Sequence, residues 1–216
     1  MIVGFPIYPH VDLLDVAGPL EMLSWADDIK VVVTAETPGP IPTRSGLTIH
    51  ADVAFADAPK FDVLWTPGGD PAALSTLMYG PSRVYLDFLI RQSKDATYVC
   101  SVCEGALLLA AAGLLDGYRV TTHWAFIPCF IERFPKVMLA PGHPRFWLDG
   151  NRLTGGGISS GLDEALELIR LLKGDAAAQD VQQSTQYYPK PPVSSKIPPA
   201  TSCPLPPPPR VARAAT

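Results

Sequence analysis

The sequence has little of what marks a secreted, membrane-bound or disulfide-rich protein. It contains only four cysteines in 216 residues, too few for a disulfide framework in a chain this long, and we therefore expect a reduced compartment. The longest apolar run, residues 105–115, is far shorter than the roughly 20 residues that span a bilayer. The apolar N-terminal residues lack the cationic lead of a signal peptide. These absences predict a cytoplasmic protein with no membrane partner.

Positive charge is also scarce. The chain has 17 Lys and Arg against 21 Asp and Glu, and four of the 17 basic residues lie beyond residue 188. Residues 1–188 therefore carry a net charge of −8 and contain no basic stripe. Because nucleic-acid binding depends on clustered Lys and Arg, we expect no nucleic-acid partner.

Proline is distributed unevenly. The chain has 24 prolines, and ten of them fall in residues 189–216. Proline has no backbone N–H to donate, so this segment is not expected to form a helix or a sheet. We predict two parts, an α/β domain over residues 1–188 and a proline-rich C-terminal tail over residues 189–216. The tail is expected to be extended or disordered, or to lie as an extended arm across a partner subunit.

Apolar periodicity in residues 1–188 alternates between short strands and longer helices. Strands are predicted at residues 2–8, 30–35, 62–66, 97–102, 119–122 and 137–140, and helices at 12–25, 81–93, 105–114, 124–134, 159–172 and 176–187. The helix at 81–93 is expected to begin at Pro81. Antiparallel pieces are predicted at residues 43–50 and 146–154, the second turning at Asp149-Gly150-Asn151. This alternation predicts an α/β sandwich with a mostly parallel sheet and a small antiparallel hairpin.

Cys103 is the first candidate for chemistry. A predicted strand runs through Ser101 and Val102 directly into Cys103, and a helix follows almost at once at Gly105. This is the arrangement of a nucleophile elbow, with cysteine in place of serine. The free N–H groups of the helix would favour a thiolate there. A buried core cysteine is the alternative interpretation.

Cys100 and Cys103 also form a C-x-x-C pair, which is typical of redox centres. Cys100 lies inside the predicted strand, however, and not at the start of a helix. We therefore expect Cys100 to be a packed core thiol.

Other polar residues lie at strand ends, and each has an ordinary structural explanation as well. Asp15 interrupts an apolar stretch beyond the first strand, where it would serve as a helix cap. Gly69 and Asp70 follow the strand at 62–66, at the carboxyl edge where ligands of such sheets bind, or form a plain turn. His123 ends another strand and would be a hydrogen-bonded structural histidine. Asp163 is expected to be first-turn charge on a helix.

No metal or cofactor is indicated. The four histidines show no ligand spacing, and no glycine-rich phosphate loop opens a helix.

Taken together, five motifs resemble the ThiJ/PfpI superfamily, also described as class I glutamine amidotransferase-like, and within it the isonitrile hydratase branch. The resemblance covers about residues 1–188. It rests on Asp15 in Leu-Asp-x-x-Gly-Pro, on Pro67-Gly68-Gly69, on Ser101-Val102-Cys103-x-Gly105, on Thr121-Thr122-His123-Trp124 and on Leu153-Thr154-Gly155-Gly156-Gly157-Ile158.

The resemblance implies a flavodoxin-like three-layer sandwich, usually a homodimer, with no cofactor. It implies that Cys103 is the nucleophile and that Asp15 is the acid that hydrogen-bonds it, with Gly69, Asp70 and His123 as candidate substrate contacts. One position departs from the branch, which looks to have threonine after the cysteine where this chain has Glu104. Two acids near one thiol oppose its ionisation, so either one carboxyl stays protonated or Glu104 points away. Glu104 is also a candidate for holding the attacking water.

Three functions follow from the resemblance as expectations. The first is an enzyme that hydrates an isonitrile, a small-molecule substrate, to an N-substituted formamide through a cysteine thioimidate. The second is a non-catalytic ligand-sensing module like that of AraC-type regulators, without the helix-turn-helix region that those regulators join to it, which we do not expect the proline-rich segment to supply. The third is another activity on the same cysteine, namely amide hydrolysis, peptide cleavage or glyoxalase-type chemistry.

Overall fold

A central sheet of short strands organises the protein, for which a computed structural model describes residues 1–208. The strands are β1 (Ile2–Pro6), β2 (Lys30–Ala35), β3 (Gly39–Pro42), β4 (Thr48–Ala51), β5 (Val53–Ala54), β6 (Val63–Thr66), β7 (Tyr98–Ser101), β8 (Arg119–Val120), β9 (Met138–Leu139), β10 (Phe146–Asp149) and β11 (Arg152–Gly155). Seven of them form the main sheet in the order β10-β11-β7-β6-β1-β2-β5. All neighbours in this sheet are parallel except β10 and β11.

The inner strands are short apolar runs because both faces of the sheet are covered. β6, for example, is buried at all four positions. The helices are α1 (Leu13–Ser24), α2 (Pro71–Tyr79), α3 (Val84–Ser93), α4 (Gly105–Ala111), α5 (Ile127–Arg133), α6 (Ser160–Lys173) and α7 (Asp175–Ser184). Helix α6 packs against both α1 and α7, whereas α2, α3 and α4 pack against one another. The predicted three-layer α/β sandwich is confirmed.

Two antiparallel pairs lie close to the predicted antiparallel pieces, but the pair of β3 and β4 spans residues 39–51 where 43–50 is predicted. Strands β10 and β11 pair around Gly150, whose positive φ of 56° suits the tight turn. Strands β3 and β4 pair around a loop containing Gly46, with a φ of 90°. None of the helices within residues 1–208 is long and apolar enough to cross a membrane.

The helix expected to begin at Pro81 is placed differently. A separate helix, α2, begins at Pro71, and α3 begins only at Val84. The Asp70 carboxylate accepts hydrogen bonds from the N–H groups of Ala72 and Ala73, which caps α2. The proline at the first helical position is therefore Pro71, because its neighbour Asp70 supplies the cap that Pro81 lacks.

The proline-rich segment has no helix or strand over residues 189–208, and it packs against its own chain. Leu205 is buried at 4% exposure, and Arg133 of α5 donates hydrogen bonds to the carbonyl oxygens of Leu205 and Pro206. Cys203 forms a disulfide with the buried Cys129 of α5. The tail boundary stays a prediction, and its residues 209–216 lie outside the described residues.

The disulfide corrects the expectation that the four cysteines remain reduced. Cys129 and Cys203 are 74 positions apart in the chain, so nothing in the local spacing indicated the pair. The docking of the tail on α5 brings them together. Cys100 and Cys103 are free. The cytoplasmic location stays a prediction. The disulfide does not favour the reducing compartment on which that prediction depends.

Candidate functional site

The candidate nucleophile lies at the sharp turn between β7 and α4. Cys103 has a φ of 56°, a left-handed conformation that is costly for a residue other than glycine. Its N–H donates to the carbonyl of Gly156 at 2.8 Å, and the Thr122 hydroxyl donates to its carbonyl at 2.9 Å. At Gly105, a Cβ would lie 2.0 Å from the Thr66 carbonyl oxygen. The predicted elbow is therefore present, and the close approach of α4 to β6 requires the glycine that follows it.

Three carboxyl groups surround the Cys103 sulfur. One ligand atom from each of Asp12, Asp15, Cys103 and Glu104 lies within 4.8 Å of the other three, and all four residues are buried. Asp15 comes from the first turn of α1, and Glu104 comes from the elbow itself. The thiol has no exposed surface. Its nearest polar neighbours are acids, however, so it is not sealed among aliphatic side chains.

Asp15 is held by the backbone of the loop after β6. Its Oδ2 accepts a hydrogen bond from the Gly68 N–H at 2.8 Å, and within residues 1–208 its Oδ1 has no partner. A Cβ on Gly68 would lie 2.4 Å from Glu104 Oε2 and 2.9 Å from Asp15 Oδ2. Gly68 is thus the residue that lets two carboxyl groups meet at the thiol. The structure shows Asp15 and Glu104 close to the thiol but no side-chain hydrogen bond from either one to the sulfur, so the hydrogen bond from Asp15 that the resemblance implies stays a prediction.

Burial sets the protonation of this cluster. It raises the pKa of the Cys103 thiol well above its usual value, and the neighbouring Asp15 and Glu104 raise it further. Burial also raises the pKa of Asp15 well above its usual value, and it raises the pKa of Glu104 to about 7. The expectation of a thiolate stabilised by helix N–H groups is therefore wrong, because loss of solvent and two adjacent acids outweigh the helix end. The raised pKa values favour a neutral thiol and a protonated Asp15, and Glu104, with a pKa of about 7, is about half protonated at neutral pH.

Asp12 was not among the sequence candidates. It precedes α1, and its Oδ1 accepts a hydrogen bond from Arg44 Nη1 at 3.3 Å, while its Oδ2 has no partner within the described chain. Its position before a helix is typical of a plain cap, so no sequence signal distinguished it. Arg44 is half-exposed and brings the only cation in contact with the acids within residues 1–208. The acids and the thiol are also possible cation ligands, but nothing else at the site indicates a cation.

A pocket of about 380 Å³ opens beside the elbow. Thr122 and Gly156, the two residues that hydrogen-bond the Cys103 backbone, both line it. The rest of the wall consists mainly of apolar and histidine side chains and the loop after β11; it includes Leu14, His123, Trp124, His143, Arg145, Gly157, Ile158, Ser159 and Ile197. The pocket therefore lies next to the elbow, although neither Cys103 nor any of the three acids is among the residues that line it.

The three predicted substrate contacts differ in where they lie. His123 lines the pocket, its Nδ1 accepts a hydrogen bond from the Ala125 N–H, and burial lowers its pKa. Gly69 and Asp70 are not among the residues that line this pocket. Gly69 packs against the backbone of His10 and Val11, and the Asp70 carboxylate caps α2. Asp163, expected as first-turn charge, pairs with Arg145. The binding roles of Gly69, Asp70 and His123 stay predictions.

An α/β sandwich with a buried cysteine elbow and an acid from the first helix defines a class of cysteine proteins to which known families can be compared. The chain matches the DJ-1/PfpI family over residues 2–171, and it belongs to this family. An isonitrile hydratase from Pseudomonas putida is 40% identical over 196 residues, which cover 91% of this chain and 82% of that protein.

The comparison also finds regulators and solved structures. The HTH-type transcriptional regulator CdhR of Pseudomonas aeruginosa is 29% identical over 187 residues, which are 85% of this chain but only 52% of the regulator. A crystal structure of a ThiJ/PfpI family protein from Pseudomonas syringae superposes with a TM-score of 0.81 at 30% identity, covering 89% of this chain and 77% of that one. The predicted family membership is confirmed.

Proposed function

We propose that this protein hydrates isonitriles, with Cys103 as the nucleophile and its neighbouring carboxylic acids as proton donors. The observation that carries the proposal is the cluster of one thiol and three acids within 4.8 Å at the elbow. The 40% identity to an isonitrile hydratase supports the same reaction class.

In the first step, the isonitrile carbon receives both a proton and the sulfur. The terminal carbon of R–N≡C carries a lone pair, so a protonated Glu104 or Asp15 protonates it, and the Cys103 sulfur then attacks the same carbon. The thiol proton returns to the carboxylate just formed. The product is the thioimidate R–N=CH–S–Cys103. A raised thiol pKa suits this order of events, because the acid activates the substrate before the thiol must lose its proton.

In the second step, water replaces the sulfur. A carboxylate of the cluster accepts a proton from water as the water oxygen adds to the thioimidate carbon, and a protonated acid of the cluster gives its proton to the nitrogen. The C–S bond then breaks as the hydroxyl proton passes to the second carboxylate, and the first acid gives its proton to the sulfur. The products are R–NH–CHO and the free thiol, with both carboxyl groups restored. Glu104 is next to the sulfur and therefore suits both the acid and the base role.

The test compares formamide formation from a simple alkyl isonitrile by the wild type, Cys103→Ala and Cys100→Ala. Cys100 is equally buried but lies inside β7, so its variant is a matched control. We expect turnover by the wild type and by Cys100→Ala and none by Cys103→Ala. Absence of turnover by the wild type, or undiminished turnover by Cys103→Ala, would exclude the proposal.

The proposal also specifies a pH dependence. Because Glu104 has a pKa of about 7, the fraction of protonated acid falls as pH rises through 7, and kcat should fall with it. Glu104→Gln should lower kcat and remove this decline. A kcat that rises steadily from pH 6 to pH 9 would indicate a thiolate mechanism instead.

The burial of Cys103 favours one second candidate, a ligand-sensing module. Its thiol has no exposed surface and a raised pKa, and regulators are among the relatives. A sensor would bind a small molecule in the pocket beside Cys103 without consuming it. Isothermal titration with an isonitrile separates the two, because a sensor gives saturable binding and unchanged ligand, whereas the enzyme gives a sustained heat of reaction and a formamide.

A further inference from the structure

The proline-rich segment contributes a residue to the wall of the pocket next to the elbow. It leaves the domain after α7, and Pro189, Lys190 and Pro191 line a groove together with Tyr187 and Arg145. Further along, Ile197 is part of the wall of the pocket next to the elbow. The segment is thus part of the candidate site, although the family match ends at residue 171.

Both ends of this segment are fixed to the domain. At its start, the carbonyl of Tyr187 accepts a hydrogen bond from Gln182 of α7. At its far end, Cys203 is bonded to Cys129, Leu205 is buried, and Arg133 holds two carbonyl groups. Between these anchors the chain has no helix or strand, and Val193 is 76% exposed. Ile197 is the apolar residue of this span that reaches the pocket.

The wall that Ile197 completes is partly apolar. Trp124, Ile158 and Leu14 are its other large apolar members. Arg145 also lines the pocket, but its guanidinium is engaged by Asp163 and Ser159. The only cationic side chain in the described wall is therefore already neutralised, which disfavours an anionic ligand and favours an uncharged apolar one.

We propose that residues 189–208 form a strap that closes the pocket beside Cys103, that Ile197 sets the size of apolar group the pocket accepts, and that the Cys129–Cys203 bond anchors the strap. The substrate class in this proposal, isonitriles with compact alkyl or aryl groups, rests on the proposed function. The strap itself does not.

The test uses the full chain and measures access to Cys103. N-ethylmaleimide and the bulkier N-phenylmaleimide are applied at one fixed pH, and labelling of the Cys103 peptide is followed by mass spectrometry. Ile197→Ala removes the pocket contact, and Val193→Ala is the matched control on an exposed part of the same segment. Cys203→Ser removes the anchor. In parallel, KM and kcat are measured for isonitriles of increasing bulk.

We expect Ile197→Ala to speed labelling of Cys103 by the bulky reagent about fivefold, with a smaller effect on the small reagent. The reason is that the half-buried side chain of Ile197 no longer holds the strap against the domain. Cys203→Ser should speed both reagents, by about tenfold or more, since the strap loses its covalent anchor. Val193→Ala should match the wild type. KM for bulky isonitriles should fall in Ile197→Ala, whereas Val193→Ala should leave KM and kcat as they are in the wild type.

Equal labelling in the wild type, Ile197→Ala and Cys203→Ser would overturn the strap. This outcome is separate from failure of the proposed function. Labelling rates that change without any isonitrile turnover support the strap and exclude the hydratase. Turnover with unchanged labelling and unchanged size selectivity supports the hydratase and excludes the strap.

Discussion

Glu104→Gln should increase the unfolding free energy relative to the wild type, and this increase should grow as pH rises. Glu104 is almost fully buried, and its pKa is raised from 4.5 to about 7 in the folded state. The folded state therefore holds the Glu104 proton more tightly than the unfolded state does. Below pH 4.5 the carboxyl is protonated in both states and costs nothing. Between pH 4.5 and pH 7 the unfolded state loses its proton first, so the wild type loses stability as pH rises, and above pH 7 the loss is complete.

The size of this effect follows from the two pKa values. A change from 4.5 to about 7 corresponds to about 3 kcal/mol of unfolding free energy, at about 1.4 kcal/mol for each pKa unit. A glutamine has no proton to lose and does not pay this cost. The unfolding free energy of Glu104→Gln, relative to the wild type, should therefore increase by about 3 kcal/mol between pH 4.5 and pH 8.

The assay is urea unfolding at a series of pH values, followed by fluorescence of the buried Trp65. Glu36→Gln is the control, because Glu36 is exposed on the loop after β2 and its substitution should leave the pH profile unchanged. A constant difference between Glu104→Gln and the wild type across this range would refute the reasoning, since it would mean that Glu104 titrates alike in the folded and unfolded states.

Three further variants test other parts of the structure. Glu164→Leu should raise the unfolding free energy at pH 8 by about 1–3 kcal/mol, because Glu164 is fully buried and neither carboxylate oxygen has a hydrogen-bond partner within residues 1–208. A lower unfolding free energy in urea unfolding would show that Glu164 makes a stabilising hydrogen bond. Cys203→Ser should lower the unfolding free energy by about 3–4 kcal/mol, because the disulfide no longer closes a loop of the unfolded chain. If neither the substitution nor a dithiol reductant changed the melting temperature, the Cys129–Cys203 bond would not form. Gly105→Ala should lower the melting temperature and abolish turnover, since its Cβ would lie 2.0 Å from the Thr66 carbonyl oxygen. Gly161→Ala, whose Cβ would make only ordinary contacts at 3.4 Å or more, should retain turnover, and equal effects of the two substitutions would argue against a tight elbow.

Much of the fold was predictable because its signals are local. The strand at 30–35 is β-branched and apolar, and the Asp149-Gly150-Asn151 turn requires the positive φ that Gly150 adopts. Helix α2 is not predicted by the sequence pattern, because residues 71–79 have weak helical amphipathicity and follow a glycine pair that is typical of a turn. The Asp70 cap was the local signal that would have found this helix.

The site was predictable in part for the same reason. The elbow at Cys103 combines a strand end with a nearby glycine, and both lie within a few residues of the cysteine. The proximity of Asp15 to Cys103 follows from the order of the strands only if those strands are parallel. The roles of Asp12, of Gly68 as a hydrogen-bond donor and of Ile197 depend on loops whose paths no local pattern determines. The Cys129–Cys203 bond joins residues that only the docked tail brings together. Homodimer formation stays a prediction from the resemblance.

The central claim, that Cys103 adds to an isonitrile carbon beside protonated acids, is tested most directly by intact mass spectrometry of the protein quenched in acid milliseconds after mixing with an alkyl isonitrile. The account predicts a transient mass increase equal to the whole isonitrile, located on the Cys103 peptide, absent from Cys103→Ala and longer-lived in Glu104→Gln. Formamide production by the wild type and by Cys103→Ala alike, with no adduct on Cys103 at any time, would contradict it.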